Sequence, residues 1–541
     1  MVQWLIERMR NKQADRAKAL EAIGEAARAE LHEALADYDR FVAPARDLTD
    51  GFLLGTARSS TGEEIPIRLP WAAAAAHWLV QGGTGTGKTT WVAEILRQAL
   101  EAGRPFGVID CKGDLYDTVL GLIAVAARKL PPADAARLRE RLVVINPFGN
   151  DLVPLNVCRP VPGVSADVQA YEVTLALGRL FDTALGLHME NILRHLLILL
   201  TEAGLSLVEA PEVLQDELVR GVLASRSTNP AVKDFFLGAW PAIPQVSKDA
   251  LLGRLHGLLL PENIRLMLGA DDLLDFRGVL DDGKILMVFL GKGPGAPEEQ
   301  VQVLGSLVTQ LLFQATYARL RRERKYLLAA DEFFHLLDAP ALGRRFETAL
   351  TTARSFGLSL LLVHHNFAQL PPSLREIILG NCDLIGVFRT GGQSALHFGD
   401  FLPEAEPEIL GQLWERGQGR VSREDLRRHQ LEALQRLPNR TLYWYDRRQP
   451  YRALRLGVPD VPAPHAVARM SPAELEDVVK NDGWDRGAAV HSRAALRAQI
   501  DARRKRLRDL VNPPVRVSTP PKSHDGGGEA PPRKKRRPEI G

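Results

Sequence analysis

Short apolar runs alternate with longer segments of helical periodicity over most of the chain. Such runs are typical of strands that are buried on both faces, and the segments between them repeat apolar residues at helical spacing. The runs that predict strands cover residues 78–80, 106–110, 142–145, 284–290, 326–330, 358–363, 384–388 and 441–445. The alternation predicts an α/β fold with a mostly parallel sheet, and we expect the run at 441–445 to be its last strand.

Three segments depart from this alternation or interrupt it. Residues 1–48 are predicted to form an N-terminal helical segment, and residues 165–272, rich in Leu and Ala, an inserted all-α domain. The α/β domain then comprises residues 49–164 and 273–460, beginning with a hairpin over residues 51–69. Residues 461–541 are polar, Pro-rich and basic, which predicts a largely disordered C-terminal extension carrying one basic helix near residues 503–508.

The composition limits the cellular compartment and the class of protein, but it does not indicate a function. The chain has 541 residues, a net charge of +3 and three cysteines, which are too far apart to form a metal-binding pattern. We therefore expect a reducing compartment. No secretory signal and no apolar stretch near the ~20 residues of a membrane span is present, which predicts a soluble protein. Residues 1–40 could alternatively form an amphipathic membrane anchor, but their apolar stripe is mostly alanine.

Residues 82–89 fit the phosphate-binding pattern G-x-x-x-x-G-K-[ST], between a predicted strand and a predicted helix. In such a loop the backbone N–H groups surround a phosphate, a lysine reaches the β- and γ-phosphates, and a threonine holds Mg²⁺. The sequence therefore predicts ATP and Mg²⁺ as cofactors of a RecA-like P-loop domain. The residues expected to bind the nucleotide are Gly82, Gly83, Thr84, Gly85, Thr86, Gly87, Lys88, Thr89 and Thr90.

Two acidic residues, Asp331 and Glu332, follow the apolar run at 326–330. We expect Asp331 to join Thr89 in holding Mg²⁺, and Glu332 to polarise the attacking water. An Asp-Glu pair alone is a weak signal, because acids often follow strands. Its position downstream of a phosphate loop favours ATP hydrolysis, with Lys88 as the catalytic cation.

Further candidates lie at other predicted strand ends. His365, in the sequence His364-His365-Asn366, is placed to sense the γ-phosphate, although the loop could equally be polar without a catalytic role. A zinc site there is disfavoured, because adjacent histidines are expected to point in different directions. Arg354 is the candidate transition-state cation from a neighbouring subunit. The arginines that compete for that role are Arg344 and Arg345, and the further site-lining candidates are Lys112 and Asp114.

These residues together resemble the FtsK–HerA superfamily of DNA-pumping ATPases, and within it the TraG/TraD-like coupling proteins of type IV secretion. The resemblance covers roughly residues 50–450. The segments that carry it are residues 82–89, 108–114, 146–148, 154–156, 283–293, 331–333 and 353–357. Two features depart from the family pattern: His365 stands where a glutamine is usual, and no N-terminal membrane helices are present. The chain is then a soluble relative or one that docks on a separate membrane partner.

The resemblance implies a homohexameric ring that pumps DNA, with Arg354 completing the neighbour's site. It implies conjugative transfer of a mobile element, with a relaxase or other DNA-processing protein and a membrane-bound secretion component as further partners. We expect a cytoplasmic protein, or one held at the inner membrane face by such a partner. Two alternatives stay open: a HerA-like motor that works with a nuclease in repair or phage defence, and an ATP-gated scaffold that recruits protein substrates to a secretion channel.

Overall fold

A computed structural model describes most of the chain between residues 33 and 511. The described ranges are 33–178 (without 34, 35 and 37), 186–293, 297–336, 340–402, 423–449 and 453–511. Most of the predicted N-terminal helical segment and the basic tail beyond residue 511 lie outside the described residues. None of the described helices combines the length and the apolar character that a membrane span requires.

Strands and helices alternate along the chain as the sequence pattern predicts. The strands are β1 (Phe52–Arg58), β2 (Glu64–Leu69), β3 (His77–Gln81), β4 (Phe106–Asp110), β5 (Leu142–Ile145), β6 (Asp151–Leu152), β7 (Ile285–Phe289), β8 (Tyr326–Asp331), β9 (Leu358–His364), β10 (Cys382–Phe388), β11 (Thr441–Asp446), β12 (Leu454–Gly457) and β13 (His491–Ser492). The strand predicted to be the last, β11, is followed by β12, whose short alternating pattern lacks a continuous apolar run.

Nineteen α-helices in the described residues connect or cover these strands, beside several shorter helical turns. They are α1 (Lys88–Glu101), α2 (Asp114–Arg128), α3 (Pro132–Arg141), α4 (Ala166–Leu177), α5 (Leu187–Glu202), α6 (Ala210–Gln215), α7 (Glu217–Arg226), α8 (Pro230–Asp234), α9 (Gln245–Leu259), α10 (Glu262–Leu268), α11 (Phe276–Asp281), α12 (Glu298–Tyr317), α13 (Pro340–Thr352), α14 (Pro372–Asn381), α15 (Gly392–Leu396), α16 (Arg423–Gln435), α17 (Pro464–Val467), α18 (Pro472–Asn481) and α19 (Arg493–Val511).

The main sheet of the described chain has eleven strands in the order β2-β1-β12-β11-β10-β3-β9-β8-β4-β7-β5. Every pair from β10 to β5 is parallel, and every pair from β2 to β10 is antiparallel. The carboxyl ends of the seven parallel strands therefore meet at one edge of the sheet, where open α/β sheets bind ligands. Strand β9 lies between β3 and β8, so its end is adjacent to both.

Helices cover both faces of the parallel part of the sheet, because consecutive side chains of its strands point to opposite faces. On β3, Trp78 and Val80 pack in one core with the side chains of α1, α2 and α3, while Leu79 belongs to the other core. That second core also includes the apolar residues of α4 to α12. The predicted all-α insertion is thus helical, and its helices share one continuous apolar core with the sheet.

The segment predicted as a largely disordered C-terminal extension is folded up to residue 511. It forms β13 and the helices α17, α18 and α19, and β13 pairs with β6. The prediction of disorder was wrong for residues 461–511, because apolar side chains spaced along α19 are buried against the inserted helices. These side chains are Leu496, Ile500 and Leu507. The basic helix predicted near residues 503–508 is the second half of α19.

Candidate functional site

The phosphate-binding loop connects β3 to α1 at the carboxyl edge of the sheet. Gly85 and Gly87 have φ angles of 74° and 105°, in the left-handed region that favours glycine. A Cβ atom on Gly82 would lie 2.5 Å from the Cβ of Phe388, so only glycine fits where the loop passes β10. The first turn of α1 contains no acidic residue. Its N–H groups and the helix dipole therefore favour an anion at this end.

Lys88 begins α1 and is buried beneath the loop. Its Nζ donates a hydrogen bond to the carbonyl oxygen of Gly83 at 2.9 Å. Burial lowers the pKa of Lys88, and the carboxyl groups of Glu332 and Asp331 act in the opposite direction. The lysine thus lies within electrostatic range of both acids that the sequence assigned to the same site.

Asp331 ends β8 and is buried beside a second carboxyl group. In the register of β4 and β8 its partner is Asp110, which is fully buried. Burial raises the pKa of Asp331 to about 7, and the charges of Asp110 and Glu332 add to the effect. Lys88 opposes it. A site with this excess of carboxylates is suited to a hard divalent cation.

Asp110 is a structural member of the site that the sequence analysis did not single out. Its carboxylate accepts hydrogen bonds from the backbone N–H groups of Lys112, Gly113 and Tyr116, at 2.7–2.8 Å. It therefore shapes the turn between β4 and α2. The predicted candidates Lys112 and Asp114 form an exposed ion pair with each other at 3.4 Å.

Glu332 leaves the sheet with a φ angle of 50°, a conformation that costs energy in a residue other than glycine. Its carboxylate accepts hydrogen bonds from Nδ1 of His365, at 2.9 Å to Oε1 and 2.8 Å to Oε2. Nδ1 of His364 lies 3.4 Å from Oε2. Burial opposes the ionisation of Glu332, but the contacts with the two histidines outweigh it and hold the pKa at about 2.

The two histidines converge on one carboxylate, contrary to the expectation that they point apart. Strand β9 ends at His364, so His365 no longer follows the alternation of the strand. The backbone turn at Glu332 brings its side chain to the end of β9. The ligand atoms of the three side chains lie within 4.8 Å of one another. The expectation that the two histidines point apart was therefore wrong.

Three further residues hold the loop and the histidine turn in place. The side-chain amide of Gln81 donates to the carbonyl oxygen of His365 at 3.1 Å. The N–H of Gly83 donates to the carbonyl of Arg389 at 2.8 Å, and the N–H of Arg440 donates to the carbonyl of Thr86 at 3.0 Å. The arginine contacts join segments distant in sequence, so no local pattern predicts them.

Arg354 lies at the opposite edge of the sheet from the phosphate-binding loop. It belongs to the short turn Ala353–Phe356, just before β9 begins, whereas the histidines follow the end of β9. The seven-residue strand spans about 20 Å. The guanidinium of Arg354 is half exposed and donates to Asp383 Oδ2 at 2.7 Å. It therefore cannot reach the nucleotide site of its own chain.

The comparisons with known proteins agree with this arrangement. A family model described as a type IV secretion-system coupling protein DNA-binding domain matches residues 63–150, which include the phosphate-binding loop. No curated protein sequence matches the chain.

Solved structures of the plasmid coupling protein TrwB share the fold. The unbound monoclinic form of the bacterial conjugative coupling protein TrwBΔN70 has a TM-score of 0.51 at 15% identity, over 79% of this chain and 92% of that one. TrwB with the non-hydrolysable GTP analogue GDPNP has a TM-score of 0.51 at 16% identity, over 78% and 92% of the two chains. TrwB with ADP and Mg²⁺ has a TM-score of 0.50 at 16% identity, over 78% and 93%. The α/β, RecA-like P-loop fold and the resemblance to the TraG/TraD-like coupling proteins are thereby confirmed.

Proposed function

We propose that this chain, which resembles the coupling proteins of type IV secretion, is an ATP-hydrolysing motor that moves DNA during conjugative transfer of a mobile element. The observation that carries the proposal is the convergence of Lys88, Asp331 and Glu332 beside a phosphate-binding loop at one edge of a parallel sheet. The match of residues 63–150 to a coupling-protein DNA-binding domain supports DNA as the cargo.

The residues present fit MgATP. The glycine backbone of the loop and the first turn of α1 supply N–H groups for the phosphates, and Lys88 supplies a cation. Thr89 and Asp331 offer oxygen ligands of the kind that Mg²⁺ prefers, and the bound ion would neutralise phosphate charge. The raised pKa of Asp331 marks a carboxyl group that lacks sufficient positive charge in the absence of a ligand.

Glu332 is the residue we assign to activate the attacking water, and His365 orients it. A glutamate with a pKa near 2 stays ionised across the physiological range, so it can accept a hydrogen bond from water at any such pH. His365 binds both of its oxygens and thereby fixes the direction of the carboxylate. In this role His365 replaces the glutamine that is usual in the family, and it responds to the phosphate through its contact with Glu332.

Arg354 completes the site of a neighbouring subunit in our proposal. Because Arg354 and Lys88 lie at opposite edges of the sheet, one chain presents a donor surface and an acceptor surface on different sides. Such surfaces associate head to tail, and they form a closed ring when the rotation between subunits allows closure. A hexameric ring with DNA in its channel satisfies this arrangement.

The test measures ATP turnover of the purified chain with and without DNA. We expect DNA to stimulate turnover, and Lys88→Ala and Glu332→Gln to reduce it by at least about a hundredfold. Lys129→Ala, which removes an exposed lysine just after α2, serves as the matched control and should retain turnover. A wild-type protein that neither binds DNA nor responds to it would contradict the motor. Nucleotide-dependent binding of protein substrates without DNA would favour the scaffold instead.

A further inference from the structure

The cluster of Glu332, His364 and His365 contains a polar atom that the proposed mechanism does not use. Nε2 of His364 lies 2.9 Å from the carbonyl oxygen of Asn366. A carbonyl oxygen only accepts, so Nε2 carries the hydrogen and donates. In the neutral ring Nδ1 therefore has a lone pair, as the free nitrogen of a metal-binding histidine does.

This nitrogen is buried and lies close to a carboxylate. The side chain of His364 is 1% exposed, and within the described residues its Nδ1 has no hydrogen-bond partner. Oε2 of Glu332 lies 3.4 Å from it. In the neutral ring this lone pair and the carboxylate repel each other, and a positive charge between the two atoms, a proton on Nδ1 of His364 or a bound metal ion, removes the repulsion. The two atoms are therefore placed to hold a cation between His364 and Glu332.

The separations suit a divalent transition-metal ion. Ligand atoms at about 2.1 Å from a tetrahedral ion lie about 3.4 Å apart, and angles nearer 90° bring them to about 3.0 Å. Oε2 of Glu332 lies 3.4 Å from Nδ1 of His364 and 2.8 Å from Nδ1 of His365. All three ligand atoms fall within 4.8 Å. Two imidazoles and one carboxylate leave a fourth position open.

We propose that Glu332, His364 and His365 bind one divalent transition-metal ion of the Zn²⁺ class, separate from the Mg²⁺ that accompanies the nucleotide. The ion takes the place of the proton on Nδ1 of His365. That proton moves to Nε2 of the same ring, so both imidazoles stay neutral. Imidazole nitrogen selects Zn²⁺ or Co²⁺ over Mg²⁺, which prefers oxygen ligands.

Occupancy of this site inhibits ATP hydrolysis. This consequence rests on the proposed function, in which Glu332 activates water. A carboxylate that coordinates an ion is no longer free to accept a proton from water in the required position. Trace transition-metal ions would then inhibit ATP hydrolysis while MgATP stays bound at the neighbouring phosphate-binding loop.

The binding test uses Co²⁺ alone as the probe, on the full chain without a histidine tag, in excess Mg²⁺ and without nucleotide. We expect one equivalent of Co²⁺ with the visible absorption of a four-coordinate ion, displaced by Zn²⁺. His365→Gln and Glu332→Gln should each weaken binding at least about tenfold. His256→Gln, on the exposed surface of α9, is the matched control and should bind as the wild type does.

Three outcomes overturn the site. They are no Co²⁺ absorption, absorption that persists in both variants, and a thiolate charge-transfer band that places the ion on a cysteine. His365 is partly exposed, so its replacement tests the site without opening the core as a substitution of His364 would. Circular dichroism of each variant checks that the fold is retained.

The inhibition test compares two constants on the wild-type protein. The Zn²⁺ concentration that halves ATP turnover in excess MgATP should equal, within about threefold, the Zn²⁺ dissociation constant from Co²⁺ competition. Inhibition at concentrations more than tenfold away from that constant would refute the inhibitory role. If the protein binds Co²⁺ but shows no ATP turnover at any metal concentration, the proposed function fails while the metal site stands.

Discussion

Asp110 and Asp331 occupy paired positions on the neighbouring parallel strands β4 and β8, so two buried carboxyl groups end adjacent strands side by side. Asp110 is held by three backbone N–H groups, whereas Asp331 accepts no comparable set of donors among the hydrogen bonds of the described residues. Burial and the adjacent charges raise the pKa of Asp331 to about 7. The site is thus electrostatically incomplete until a cation joins it.

Asp331→Asn should stabilise the protein in the absence of Mg²⁺ and nucleotide, and only above acidic pH. The unfolded carboxyl group ionises near pH 4 and the folded one near pH 7. The native state therefore holds the extra proton between these values, and its stability falls as pH rises through that window. We expect a gain of roughly 2–4 kcal/mol at pH 8 that vanishes near pH 4.

Urea unfolding of both proteins across this pH range measures the effect. Asp114→Asn, at an exposed position in the turn after β4, is the control and should show no such pH dependence. A difference between Asp331→Asn and the wild type that is equal at pH 4 and pH 8 would show that folding does not raise the pKa of this carboxyl group.

Arg354→Ala should abolish ATP turnover and leave nucleotide binding to the same chain intact. The reason is geometric, since Arg354 lies at the edge of the sheet remote from its own phosphate-binding loop. Mixing Arg354→Ala chains with Lys88→Ala chains should restore part of the turnover, because some interfaces then combine an intact Lys88 with an intact Arg354. Asp383→Asn removes the ion pair of Arg354 but keeps its guanidinium, so it should reduce ATP turnover less than Arg354→Ala does. Failure of every mixing ratio to restore turnover would argue against a shared site.

His365→Ala should lower kcat by about tenfold or more and leave nucleotide affinity nearly unchanged. The imidazole contacts Glu332, which acts on water, and no described contact joins it to the loop residues. His365→Gln keeps a hydrogen-bond donor and should recover part of kcat. A rise in KM with kcat unchanged, measured by steady-state kinetics, would instead place His365 in nucleotide binding.

Arg503→Met should destabilise the protein by about 3–5 kcal/mol, because it leaves a buried carboxylate without its cation. Arg503 on α19 is buried and donates to Glu209 at 2.9 Å and 3.2 Å, to Ser206 at 2.9 Å and to the carbonyl of Gly269 at 2.7 Å. The double variant Arg503→Met with Glu209→Gln should recover a large part of the loss in denaturant unfolding. The exposed Arg506→Ala is the control, and an equal loss there would exclude the buried ion pair as the cause.

Much of the fold could be predicted from the sequence because its strands are short continuous apolar runs. The phosphate-binding loop could also be predicted, because all of its nucleotide-binding residues lie in one contiguous segment. The convergence of His364 and His365 on Glu332 was not, because it depends on where β9 ends and on the left-handed backbone of Glu332. The burial of Arg503 could not be predicted either. Which side chains of a basic helix are buried is known only when the surface that it packs against is known.

The attachment of α19 makes the helical unit discontinuous in sequence. Helices α4 to α11 enter the fold between β6 and β7, and α19 joins them after β13, the last strand of the described residues. A proteolytic cut between β12 and α19 would therefore leave a two-piece protein that stays together. A fragment of residues 165–272 alone would expose the apolar surface against which α19 packs. It would also leave the carboxylate of Glu209 without Arg503. The boundaries of this helical unit therefore do not correspond to one continuous stretch of the sequence.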